Sequence, residues 1–261
     1  MDSKTAHSLT EHEKKDKALF DAISPKYLEK DLAPQCSIAR KHRLLSSLKN
    51  VSFDHTSRVL EVGCGAGFSV KYLDKPYSAY VGVDYSQGLI DYANQYNSKP
   101  KAQFICANIK EYQPEEKFDV IFMIGVLHHF DDMKGILSHI VTLLKPGGVV
   151  VANEPQSSNP LIQGLRTLRT KLDKSYSDDQ VQLLPENLKE LYEAVGLKEV
   201  QVLGQGYFST PFAEVVLRPK WIIKVLSMGS IGLDNYIQRV DWTSLRKIAW
   251  NVVGVGFKSK I

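Results

Sequence analysis

Three alternate positions, 63, 65 and 67, are glycine in Val59-Leu-Glu-Val-Gly63-Cys-Gly65-Ala-Gly67-Phe68, and no other run constrains the chain as strongly. An apolar segment with one acid, Glu61, ends in these glycines and gives way to a helical pattern. That order reads as a buried strand turning sharply into a helix. Glycine lets the backbone turn tightly and approach a ligand more closely than a residue with a Cβ allows. A second apolar run, Val81-Gly-Val-Asp84, places a carboxylate 19 residues after Gly65. In doubly wound sheets an acid about 20 residues past the glycine turn accepts hydrogen bonds from ribose hydroxyls. Position 68 is Phe, so the spacing is Gly-x-Gly-x-Gly and not the Gly-x-Gly-x-x-Gly of dinucleotide sites.

Strand and helix patterns alternate beyond this point. Residues 69–73 continue a helix, 81–83 form a strand, and 87–96 form a helix with Leu89, Ile90 and Ala93 on one face. Residues 104–107 read as a third strand, and the nearly unbroken apolar run 118–124 as a fully buried parallel strand. A helix over 133–144 stops at Lys145-Pro-Gly-Gly, and 149–152 form a fifth strand. The segment 185–196 opens on Pro185 and closes on Gly196, as a helix should. Residues 198–203 and 250–257 read as the last two strands. Such alternation predicts a largely parallel sheet covered on both faces.

The flanks are less regular. Residues 1–17 are polar and charged, which predicts a frayed start. Residues 18–48 are helical in pattern, with Pro25 and Pro34 expected to break them into short helices that lie as a lid over the sheet's ligand-binding edge. Residues 155–183 carry no strand signal and hold Pro160 and the basic run 166–174. Between the last two strands, Trp221, Ile222, Val225 and Leu226 recur at helical spacing, with Lys220, Lys224 and Ser227 on the other side. A second helical stretch over 233–248 carries Arg239, Arg246 and Lys247. With Trp221 and Trp242, this insertion suits a cap over an apolar cavity, a contact with an anionic membrane surface, or a face buried by packing or in a homodimer.

Composition narrows the class. The net charge of +4 is concentrated at the end: residues 205–261 hold eight Lys/Arg against three acids, leaving 25 basic and 26 acidic residues elsewhere. The basic segment lacks the interleaved aromatics of a nucleic-acid surface, so no nucleic-acid partner is expected. Cys36, Cys64 and Cys106 show no metal-ligand spacing, and no metal is expected. Their odd number, without a signal-peptide pattern, predicts a reducing, cytoplasmic setting, with peripheral attachment to the inner membrane face as the membrane reading's corollary. No apolar run reaches the 18 residues of a spanning helix.

Glu61-x-Gly63-x-Gly65-x-Gly67, Asp84, Phe118-Asp119, Leu127-His128-His129 and Leu144-Lys-Pro-Gly-Gly148 occur in an order that resembles the class I S-adenosylmethionine-dependent methyltransferases, in their small-molecule branch. The likeness is close over 59–152 and holds only in outline beyond. It implies an α/β, Rossmann-like fold: a seven-strand, mostly parallel sheet with helices on both faces. The division would be a helical lid (1–50), a core (51–204), a helical cap insertion between the last two strands (205–249) and a final core strand (250–261). It implies S-adenosyl-L-methionine as cofactor. Gly63, Cys64, Gly65 and Gly67 would meet its carboxylate end, Glu61 its ammonium, Asp84 the ribose diol and Tyr85 the adenine face. Asn108, where the family usually has Asp, would accept from the adenine amine. Ile109, Ile124 and the lid's Tyr27 complete the expected contacts.

A sulfonium carries its own leaving group, so the protein's task is to align a nucleophile with the methyl carbon. A base is needed only for an acceptor that is protonated at working pH. His129, then His128, is the candidate, the alternative being that one of them packs or caps a helix. Glu154 would orient or deprotonate the acceptor, or cap a backbone amide. The Pro-Pro-Tyr/Phe tetrapeptide of nucleic-acid amino methyltransferases and a Pro-Cys nucleophile are both missing, and the cysteines lack the arsenite-methylating arrangement. These absences favour a metal-free transfer to an oxygen, before carbon or nitrogen, of an apolar or lipid-like small molecule such as a quinone-type ring, polyketide or lipid-linked sugar. Two rivals stand beside this reading. One is an NAD-dependent oxidoreductase, opposed by Phe68; the other is a catalytically silent cofactor-binding scaffold, for which Asn108 is the one supporting departure.

Overall fold

The computed structural model describes residues 9–159, 162–164, 183–240 and 243–260. Pro160, the basic run 166–174 and Trp242 lie outside them. Seven strands, β1 (Arg58–Val62), β2 (Ala79–Asp84), β3 (Ala102–Cys106), β4 (Phe118–Ile124), β5 (Leu144–Pro155), β6 (Lys198–Gln205) and β7 (Asn251–Phe257), form one sheet in the order β3-β2-β1-β4-β5-β7-β6. The first five are parallel, and β7 runs antiparallel to both of its neighbours. Strand order reverses between β1 and β4. The crevice beyond their carboxyl ends is where this architecture receives ligands.

Strand periodicity divides the core into two layers. Successive side chains point to opposite faces, so Ile121 and Met123 of β4 pack with one set of helices while Val120 and Phe122 pack with the other. The first layer is closed by Ile136, Leu137 and Ile140 of α5 (Met133–Leu143) and by Leu188 and Tyr192 of α6 (Pro185–Ala194). The second is closed by Leu44 of α2 (Pro34–Ser47) and by Ile90 and Ala93 of α4 (Gln87–Asn97). A short α3 (Ser69–Tyr72) follows the glycine turn. The late insertion forms α7 (Thr210–Glu214), α8 (Lys220–Val240) and a 3-10 turn (Thr243–Ile248).

The amino-terminal part departs from expectation. Residues 1–8 lie outside the described residues. From Glu11 to Leu32 one helix, α1, runs with Pro25 inside it, where a frayed start and a break at Pro25 were expected, and the expected break at Pro34 separates it from α2. Thr10 and Glu13 form a capping box: Glu13 N–H donates to Thr10 Oγ1 at 3.2 Å, and Thr10 N–H donates to the Glu13 carboxylate at 2.9 Å. Pro25 has no N–H for the carbonyl of Asp21, but Ser24 Oγ donates to that carbonyl at 3.0 Å. The helix therefore continues past the proline. Strand β5 also begins earlier than its apolar run, because the Lys-Pro-Gly-Gly stretch enters the sheet as a bulge between Leu144, opposite Phe118, and Val149, opposite Val120.

Thr10 Oγ1 donates in addition to Asp131 at 2.5 Å, so one side chain starts α1 and ties it to the core. Thr10→Ala is expected to destabilise the first turn by about 1 kcal/mol. Hydrogen exchange should show the amides of residues 11–14 opening about fivefold faster, with the strand amides unchanged.

Candidate active site

A cavity of about 780 Å³, its open mouth included, lies beyond the carboxyl ends of the central strands, within the size range of small-molecule and cofactor sites. Each strand end contributes to its wall: Gly63 and Gly65 after β1, Asp84 and Tyr85 after β2, Asn108 and Ile109 after β3, Ile124, Gly125 and His129 after β4. The remaining side is α1, which adds Glu13, Phe20 and Tyr27. No lining residue comes from 205–249, so among the described residues the insertion does not cap this cavity.

The glycine turn is tied to the next strand by its own amides. Gly63 N–H and Cys64 N–H both donate to the Val83 carbonyl, at 2.7 and 3.1 Å. Gly63 has φ +68°, and a Cβ there would lie 2.4 Å from Val126, so only glycine fits. Gly65 N–H donates to Asp84 Oδ2 at 2.9 Å while Ser86 N–H donates to Oδ1 at 2.9 Å. A side chain at position 65 would meet nothing within 4 Å, which marks that position as the open part of the wall. Burial pushes the Asp84 carboxyl upward, and the Ser86 and Gly65 amides only partly offset this. A buried carboxylate with two amides has acceptor capacity left for donors arriving from the cavity.

Five expected contacts fall outside the cavity lining. Glu61 turns inward: Ser69 Oγ donates to it at 2.6 Å and the Tyr80 hydroxyl donates to its other oxygen. Linking β1 to the start of α3, it braces the glycine turn from behind and does not itself line the cavity. Cys64 is buried with its thiol against the Gly82 backbone. Gly67 is required by packing, since a Cβ there would lie 2.5 Å from Phe104. Glu154 and His128 are buried together. Glu154 accepts from Val126 N–H at 3.1 Å and Leu127 N–H at 2.9 Å, and its other oxygen lies 2.7 Å from His128 Nδ1. This acid caps the turn after β4 and is not among the residues that line the cavity. Burial, with the charge of His129 alongside, holds His128 below the ordinary imidazole range despite the pull of Glu154.

His129 does reach the cavity, and it has a partner that sequence reading missed. Its Nδ1 lies 2.8 Å from Asp16 Oδ2 of α1, and its ring meets Phe20 edge-on at 5.4 Å. Burial opposes the charge of Asp16, but the bond and charge of His129, with His12 and His128 nearby, hold this carboxyl below its usual range. Glu13, one turn earlier, is buried and accepts from Lys110 Nζ at 2.6 Å. Its Oε1 is buried without a partner among the described residues. Asn108 Oδ1 accepts from Lys110 N–H at 3.1 Å, which positions its side chain at the same end of the wall. The sequence pattern placed a helical lid with Tyr27 here but began it at residue 18; Thr10-x-x-Glu13 is the capping signature that could have extended it to Glu13 and Asp16. Behind the far end, Arg43 of α2 donates to Asn153 at 3.0 Å and to Glu214 at 3.1 Å. Burial, reinforced by Glu214, pushes the Tyr27 phenol up to about 12.

The Glu61 carboxyl is pushed up to about 8 by burial, with hydrogen bonds from Ser69 and Tyr80 opposing and the charge of Asp84 adding to the rise. From its unfolded value of about 4.3, the folded protein therefore retains a proton that the unfolded chain releases. Stability from this group is full below the unfolded pKa and is lost as pH rises through about 8. Glu61→Gln should flatten the stability profile across that window, measured by urea denaturation at several pH values.

Comparison with known proteins agrees with this geometry. Residues 60–152 match the methyltransferase domain family. Malonyl-[acyl-carrier protein] O-methyltransferase 2 of Ilyobacter polytropus is 30% identical over 149 residues, covering 55% of this chain and 58% of that protein. The chain spans about half the length of the curated relatives it matches. Among solved structures, the Haloferax volcanii complex of the Trm112 methyltransferase activator and a putative methyltransferase aligns with a TM-score of 0.65 at 15% identity, over 93% of this chain and 97% of that one. The [4+2]-cyclase SpnF aligns with a TM-score of 0.61 at 16% identity, over 93% and 94%; at these identities the likeness is one of fold. The β3-β2-β1-β4-β5-β7-β6 sheet, the glycine turn and Asp84 agree with the family match, and over residues 60–152 the chain carries a methyltransferase domain.

Proposed function

We propose that this chain transfers a methyl group from S-adenosyl-L-methionine to an oxygen of an apolar or lipid-like small molecule. The observation that carries the reading is the pairing of Asp84 with the Gly65 amide at the wall of an otherwise largely apolar cavity. The residues present fit the cofactor. Asp84 offers acceptor capacity for a ribose diol, and the buried, unpartnered Oε1 of Glu13 beside Asn108 suits an amine donor such as that of adenine. Tyr85 and Phe20, whose rings lie 6.2 Å apart, supply aromatic surface. When bound, the cofactor supplies a methyl group already activated by its sulfonium.

The chain's own part is to hold the acceptor in line and to manage its proton. His129 is the one imidazole among the cavity-lining residues. With Nδ1 engaged by Asp16, its Nε2 is left to take a proton from an acceptor hydroxyl, and the Asp16 carboxylate steadies the imidazolium that results. This arrangement favours an acceptor hydroxyl. The likeness to the malonyl-[acyl-carrier protein] O-methyltransferase 2 of Ilyobacter polytropus supports oxygen as the methylated atom. Apolar walls from Phe20, Ile109, Ile124, Val126 and Phe130 support an acceptor with little charge.

The two rivals are weaker. Phe68 is buried against Leu28 and Ala66, so a ring fills the space where a dinucleotide turn has its third glycine. A non-methylating use of the fold has precedent in the cyclase likeness, yet a lining imidazole with a carboxylate partner is a feature that passive binding does not need. Calorimetry should show binding of S-adenosylhomocysteine, and Asp84→Ala should weaken it by about 1–3 kcal/mol through donors left unpaired. Tight binding of NAD alone would overturn the reading, and an unchanged affinity in the variant would remove the ribose assignment.

A further inference from the structure

Helix α8 turns its small polar residues inward, with Ile223, Ile231 and Ile237 half-buried on that side, and leaves its largest apolar side chains outside. Toward the body of the protein it presents Ser227, Ser230 and Asp234, all buried. Ser227 Oγ donates to the Gln35 carbonyl of α2 at 3.2 Å. Asp234 accepts from Phe208 N–H at 2.8 Å and from Ser209 N–H at 3.2 Å. Outward, Trp221 is 71% exposed, Val225 63%, Met228 55% and Tyr236 68%. These positions share a helical stripe about 22 Å long, and Leu226 and Leu233 widen it, both more than half exposed. A helix that only packs on its own domain has the opposite polarity. Contiguous exposed apolar surface of this kind marks an interaction site, and the cavity lining excludes α8 as a cap.

The charges decide the occupant. Arg218, Lys220, Lys224 and Arg239 flank the stripe and are exposed. Between positions 217 and 240 the single acid is Asp234, which is buried and engaged. A two-fold pairing of this face with a second copy would bring like charges together. An anionic lipid surface satisfies both the apolar stripe and the basic border. Trp221 and Tyr236, near the two ends, are residue types that favour the membrane interface, and lysine stems can lie along apolar surface while their ammonium groups reach headgroups. No helix among the described residues is long and apolar enough to cross a membrane. We propose that α8 is an interfacial anchor that lies flat in an anionic bilayer surface, its Trp221–Tyr236 stripe among the lipids. This does not depend on the methyltransferase reading.

The test is co-sedimentation of the full chain with phosphatidylcholine vesicles, with and without phosphatidylglycerol, at low and high salt. The expected result is pelleting with phosphatidylglycerol vesicles that fades in high salt. Lys220→Gln with Lys224→Gln should lower the partition roughly thirtyfold at low salt. The triple variant Trp221→Ser, Val225→Ser, Met228→Ser should abolish pelleting while circular dichroism and S-adenosylhomocysteine calorimetry stay unchanged, because these side chains project into solvent. Failure to pellet at low salt, or equal pelleting of the triple variant, would overturn the proposal. So would a dimer in analytical ultracentrifugation that the triple variant dissolves, since the stripe would then belong to a second copy.

Discussion

The contact between the Gly65 amide and Asp84 holds the site together. It joins the ends of two neighbouring parallel strands whose register pairs Val62 with Val83. That register brings a turn and a carboxylate 19 positions apart in sequence to within hydrogen-bond distance. Everything on the cavity's inner wall follows from it. Gly63 and Cys64 donate to the Val83 carbonyl, Ser86 shares the same carboxylate, and Glu61 braces the turn through Ser69. Such a cluster is rigid because Asp84, Glu61 and the amides of the turn find partners within the fold, whereas Glu13 of the cavity-lining α1 keeps Oε1 buried without one among the described residues.

The outer wall is made differently. α1 is held across the strand ends by polar and ionic contacts: Thr10 with Asp131, Glu13 with Lys110, Asp16 with His129, and Asp21 with Ser86. These couple the helix to the loops after β2, β3 and β4, so the wall and the imidazole are positioned by the same contacts. Local stability of α1 and the geometry of His129 are thereby linked.

Helix α8 shows the same division of labour at larger scale. Its inner face is secured by hydrogen bonds to α2 and to the loop after β6, which frees its outer face from any duty to the core. Apolar side chains in that position bury little of their surface within the described residues, and this is what the proposed interfacial anchor rests on.

Much of this was legible in the linear order of residues. The alternation of apolar runs with helical patterns, the glycine turn and Asp84 define the sheet and its ligand edge, because strand periodicity and backbone freedom are local properties. Tyr85, Asn108, Ile109, Ile124 and His129 follow from their places at strand ends. Other choices were tertiary. A carboxylate's type does not reveal whether it will face solvent, a ligand or a neighbouring hydroxyl, so Glu61 and Glu154 became internal braces when the chain folded around them. Past Pro25, α1 continues with a serine hydroxyl on the carbonyl that proline leaves open and with tertiary contacts along its length, and the pairing of Asp16 with His129 spans 113 residues. Amphipathic spacing alone likewise left the direction of α8 open. Local sequence thus determined which elements form and which edge binds. Only packing, by settling which polar groups find partners inside, decided which residues remain to meet a ligand or a surface.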